Sequence, residues 1–137
     1  MTGVQTCALP ISPEAVSEIA ELLELAPAEI LDTMSFYGIF QPEPHGKLRC
    51  WVCRSLSCAL RGSEELLQEL CQRFDVSPGG TTEDGALTLE FAECLGACDE
   101  APVILAGEKR YGRLSEDNLD ELIDSLRKEN QTSEKKT

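Results

Sequence analysis

The spacing of apolar positions along the chain changes period several times, and each change marks an element. Val16, Ile19, Ala20 and Leu23 recur at helical spacing behind Ser12, Pro13 and Glu14, which predict an N-cap, a first-turn proline and an acid at the positive helix end. Pro27 opens a second predicted helix, through Ile30, Leu31 and Met34 towards Gly38. The stretch QPEPHG at 41–46 breaks all periodicity with two prolines and a glycine and reads as a linker. KLRCWVC then alternates as a strand, with Leu48, Cys50 and Val52 on one face. After the loop RSLSCALRG, Ser63 is the expected cap of a helix whose Leu66, Leu67, Leu70, Cys71 and Phe74 share a face.

SPGGTTEDG predicts a turn-rich loop and ALTLEF a second strand, expected beside the hairpin that PVILAGEKRYG forms around Gly107. Ser115 caps a closing helix that turns Leu119, Leu122, Ile123 and Leu126 inward, and the polar stretch that ends the chain predicts disorder. The order condenses to βαββα, a thioredoxin-like α+β (α/β) domain at 47–128 preceded by a short helical segment at 12–40 and followed by a tail at 129–137. Residues 1–11 read as the translation of a sequencing-library adapter, which sets Cys7 aside from any chemistry.

Charge narrows the partners. With 25 Asp and Glu against 12 Lys and Arg the net charge is -13, which disfavours a phosphate backbone as ligand. No run approaches the roughly 20 apolar residues of a membrane span. The N-terminal stretch lacks the basic region of an export signal, which predicts a reducing cytoplasmic setting where cysteines serve metals or catalysis rather than disulfides.

The cysteines offer competing readings. Cys50 and Cys53 form CxxC, the spacing of redox pairs and zinc knuckles, whereas Cys53 and Cys58 form CxxxxC, and Cys94 and Cys98 form CxxxC around Gly96. Zinc sites favour the narrower CxxC, and the two wider, unequal pairs suit a binuclear iron–sulfur centre better, with zinc the alternative. A thiol oxidoreductase using Cys50 and Cys53 is disfavoured because strand alternation puts them on opposite faces. Cys50 and Cys71 fall on apolar faces and read as small core residues, and His45 in the linker as a solvated side chain.

FYGIF, VCRSLSCALRG, SPGGTTEDG with its following strand, and ECLGACDEAPV together resemble the thioredoxin-like 2Fe-2S ferredoxin family. The likeness is to the small 2Fe-2S subunit of NADH:quinone oxidoreductase, respiratory complex I, a family shared with NAD-dependent hydrogenases and formate dehydrogenases. The resemblance covers residues 12–128. It implies one 2Fe-2S cluster held by Cys53, Cys58, Cys94 and Cys98, and one-electron transfer beside the FMN of a neighbouring NADH-binding subunit, the alternatives being the equivalent subunit of an NAD-dependent hydrogenase or formate dehydrogenase and a freestanding thioredoxin-like ferredoxin. It also implies a place in a complex peripheral to the cytoplasmic side of the inner membrane, with the helical segment as the docking element. In this family a further helical segment normally precedes the counterpart of Ser12. No GxGxxG or Walker sequence is present, so flavin and nucleotide belong to the partner. Arg54 and Arg61 are the nearest basic residues in sequence that could favour reduction.

Overall fold

A computed structural model describes the backbone of residues 10–134 and the side chains of residues 10–129. Two compact units divide at Pro44, inside the proline-rich stretch. The first contains α1 (Pro13–Leu23) and α2 (Pro27–Phe36). Ser12 caps α1 by accepting the Ala15 N–H at 3.2 Å, satisfying one of the donors that a helix start leaves free. Of the expected inner face of α1, Val16 and Ala20 are buried, whereas Ile19 and Leu23 are exposed. No residue of α2 is buried, and Leu31, Phe36 and Tyr37 are exposed.

The second unit holds β1 (Leu48–Cys53), α3 (Leu56–Ala59), α4 (Ser63–Phe74), β2 (Leu87–Ala92), β3 (Ile104–Ala106), β4 (Lys109–Tyr111) and α5 (Leu119–Glu134). The strands form one sheet in the order β2-β1-β3-β4. β1 runs parallel to β2 and antiparallel to β3, and β3 antiparallel to β4. The expectation that β2 lies beside the final hairpin is corrected: β1 separates them. A parallel neighbour needs a crossover, and α3 with α4 supplies it.

Alternation along β1 buries Leu48, Cys50 and Val52 against Leu67, Leu70 and Cys71 of α4 and Leu119, Leu122, Ile123 and Leu126 of α5. Each fully buried leucine or isoleucine there contributes about 1.5–3 kcal/mol by leaving water. On the opposite sheet face Trp51 Nε1 donates to Glu90 Oε1 at 2.9 Å, and Arg49 pairs with the same carboxylate and lies over the Trp51 ring.

Three local readings change. Gly62, in the left-handed region at φ 85°, is the N-cap of α4, and Ser63 enters the helix with its side chain buried. The loop 54–62 contains α3. The closing helix continues through Glu134, into the stretch expected to be disordered, and residues 135–137 lie outside the described residues, as do residues 1–9 of the adapter-like start.

Candidate metal centre

The parallel pairing of β1 with β2 fixes the site. Its register opposes Cys53, the last residue of β1, to Ala92, the last residue of β2. Both strands therefore leave the sheet at the same end. The Arg54 N–H donates to the Ala92 carbonyl at 3.0 Å just beyond the ladder. The segment carrying Cys58 and the one carrying Cys94 and Cys98 start side by side although they are far apart in sequence.

Cys53 and Cys58 are buried in a small apolar cluster with Ala97, Ala101 and Val103, separate from the main core that contains Cys50 and Cys71. Cys53 is tied to the third strand's approach, its N–H donating to the Val103 carbonyl at 3.1 Å. Removal from water pushes the Cys58 thiol above its ordinary range, with Cys53 hydrogen-bonded beside it and Cys98 near enough to add to the shift. Cys94 and Cys98 are exposed. The Gly96 N–H donates to Cys94 Sγ at 3.3 Å. Gly96 has φ +73°, a conformation that L side chains rarely adopt, and nothing lies within 4 Å of where its Cβ would stand.

Among the described residues, no three metal-binding side chains gather closely enough to hold a single ion. The thiols instead divide into a buried pair and an exposed pair at one sheet end. This division fits a binuclear cluster, in which each iron needs two protein thiolates and the loop backbone donates to sulfur. Cys50 and Cys53 belong to different apolar clusters, as the strand alternation predicts. His45 is half-buried, with Nδ1 2.8 Å from the Gly46 carbonyl oxygen.

Of the two arginines singled out by sequence, Arg54 is engaged by Glu93, its Nε donating to Oε1 at 3.0 Å. Arg61 borders a cleft of about 330 Å³ whose wall includes Asp99, Ala101, Pro102, Arg113 and Ser115. Arg113 was not foreseen, because the fold and not the spacing brings the β4–α5 turn against the segment after Cys98.

Comparison with known proteins places the chain in a family and a fold. The family model of the thioredoxin-like [2Fe-2S] ferredoxin matches residues 1–127. NADH-quinone oxidoreductase subunit 2 of Thermus thermophilus is 42% identical over 101 residues, 74% of this chain and 56% of that protein. A subunit of the NADH-quinone oxidoreductase of Rhizobium meliloti is 39% identical over 112 residues, 82% of this chain and 67% of that protein. The chain thus spans little more than half the length of the first of these relatives. The crystal structure of an NAD+-reducing [NiFe]-hydrogenase in the air-oxidized state superposes with a TM-score of 0.71 at 29% identity, over 88% of this chain and 21% of that one.

Proposed function

The chain belongs to the thioredoxin-like [2Fe-2S] ferredoxin family, and on that premise we propose that Cys53, Cys58, Cys94 and Cys98 hold its cluster in an electron-transfer subunit of an NADH-oxidising complex. The observation that carries the ligand assignment is the β1–β2 register, which opposes Cys53 to Ala92 and so starts both cysteine-bearing segments at one sheet end. When bound, the cluster takes up and releases single electrons.

The chain's own residues set the conditions for this. Cys53 and Cys58 hold the inner side, where Ala97, Ala101 and Val103 keep water away. Cys94 and Cys98 hold the outer side, where their exposure leaves a short route to a partner. The Gly96 amide, already directed at Cys94 Sγ, offsets negative charge on that sulfur. The partner of this reading bears the flavin and the NADH site: the relatives' names give the NADH-quinone oxidoreductase, and the flavin is what the family resemblance implies. The helical unit at 12–40 is its docking segment, and the complex is peripheral to the cytoplasmic face of the inner membrane. Among the described residues no helix is long and apolar enough to cross a membrane.

The test is anaerobic purification followed by absorption spectra, EPR of the dithionite-reduced protein, and iron and sulfide analysis. A brown protein with an axial or rhombic reduced signal and equal iron and sulfide is expected. A colourless protein carrying stoichiometric zinc would overturn the reading in favour of a zinc-stabilised interaction module.

A further inference from the structure

Carboxylates outnumber basic residues two to one in this chain, and its arginines are correspondingly engaged. Arg49 pairs with Glu90, Arg54 with Glu93, Arg73 with Asp120 and Glu69, and Arg110 with Glu100. Arg127 lies over the Phe74 ring. Arg61 and Arg113 are the exceptions: both are exposed, neither has an ion pair among the described residues, and both border the 330 Å³ cleft. Asp99 shares that cleft without pairing with either. Two uncompensated guanidiniums in one cleft of so acidic a chain are a departure that a simply solvated surface does not explain.

The cleft is also held in place at some cost. Arg113 has φ 54°, in the left-handed region, which costs a non-glycine residue free energy and persists only where the surroundings impose it. Here they do. The Arg113 N–H donates to the Glu100 carbonyl at 2.6 Å, and the Leu114 N–H to the Pro102 carbonyl at 3.4 Å. A Cβ on Gly112 would stand 2.7 Å from Glu100 Cβ, so this approach requires glycine. Arg61 reaches the same cleft from the other segment, its N–H donating to the Cys58 carbonyl at 3.0 Å. Each arginine is thus fastened by its backbone to a segment that carries a proposed cluster ligand.

We propose that the Arg61–Arg113 cleft receives a carboxylate side chain of the partner subunit that exchanges electrons with this chain, keying that partner onto the exposed Cys94 and Cys98 side. The proposal rests on the electron-transfer reading above. Guanidinium groups grip carboxylates through paired N–H donors, which fixes orientation as well as position. A local cationic point is also what allows an acidic partner segment to approach a chain of net charge -13 without repulsion at the contact.

The test co-expresses the full chain with its native gene neighbours and measures its affinity for the co-purified flavin-bearing, NADH-oxidising partner at 50–500 mM NaCl. Wild type is compared with Arg61→Gln/Arg113→Gln and with Arg61→Lys/Arg113→Lys. Both side chains are exposed, so folding and cluster content should match wild type by circular dichroism and absorption. The glutamine pair should weaken binding roughly a hundredfold and flatten its salt dependence, while the lysine pair, with charge but no fork, recovers part of the loss. The reduction potential of the isolated chain should stay at the wild-type value. Equal affinities of wild type and the glutamine variant overturn the proposal, as does a shifted potential with unchanged affinity, since the arginines would then serve the cluster. If the wild type itself finds no such partner, the subunit reading falls and the proposal with it.

Discussion

Replacing Gly46 by alanine tests whether the β1–β2 register depends on a close backbone approach. A Cβ at this position would stand 2.7 Å from the Leu87 carbonyl carbon, 2.8 Å from the Leu87 nitrogen and 2.9 Å from the Thr88 nitrogen. All three are backbone atoms of β2, so no side-chain rotation relieves the clash and the strands must part locally. Three hydrogen bonds lie in that region: Gly46 N–H to Thr88 Oγ1 at 2.6 Å, Lys47 N–H to the Gly85 carbonyl at 3.1 Å and Leu48 N–H to the Ala86 carbonyl at 2.9 Å. At a net value of about 1 kcal/mol each, losing all of them bounds the effect near ~3 kcal/mol. Overpacking a dense site independently costs about 1–3 kcal/mol. The expected destabilisation is therefore about 2–3 kcal/mol, read from urea denaturation of the metal-free chain with an unchanged m value. Because Cys53 and Ala92 pair at the opposite end of the ladder, the reconstituted variant should keep its cluster absorption. A loss below about 0.5 kcal/mol would refute the close-approach argument, on the scale of ordinary surface substitutions.

The cysteines should separate by role: alanine at Cys53, Cys58, Cys94 or Cys98 abolishes or severely weakens the 2Fe-2S absorption and EPR signal, because an iron left with one protein thiolate loses its tetrahedral shell. Alanine at Cys50 or Cys71 keeps the spectrum and costs about 1 kcal/mol, and the ligand assignment fails if the Cys50 variant loses the cluster while the Cys58 variant retains it. Desolvation in the core, and next the nearby Cys71, push the Cys50 thiol from its ordinary 9.0 up to about 12. Between those values the unfolded chain has released this proton and the folded chain keeps it, so the folded state binds more protons and stability falls as pH rises, by about 1.4 kcal/mol per pH unit from this one group. Below pH 9 the contribution is fully present. Cys50→Ala should remove it from the metal-free chain, and parallel alkaline stability curves for wild type and variant would contradict the burial argument.

What the sequence made legible depended on how local the determinant was. Strand alternation around Cys50 and helical spacing around Leu67 and Leu70 each follow from a face that must leave water, so those elements and the core position of Cys50 and Cys71 were readable. Ser63 was misplaced because a left-handed Gly62 can start a helix without a side-chain cap, and serine is small enough to be buried at the first turn instead. The position of β2 was missed because alternation reports which residues share a face and not which strand stands alongside. Ile19 and Leu23 show the converse: helical spacing names an apolar face but not whether the chain covers it. Spacing marked the two cysteine pairs, whereas the lack of an ion pair at Arg61 and Arg113 among the described residues depends on where the carboxylates end in three dimensions.

The sheet order has a consequence for synthesis. Of the two interior strands, β1 is made first, and both of its neighbours, β2 and β3, are encoded downstream. As the chain leaves the ribosome, β1 emerges with two open edges, and the helices that close the apolar face over Cys50 are incomplete until α5 follows. During that interval Cys53 and Cys58 lack the wall of Ala97, Ala101 and Val103 that later surrounds them. Pairing strands so distant in sequence is slow compared with local helix formation. A Cys53 or Cys58 thiol oxidised before residues 97–103 arrive would be lost to the proposed cluster.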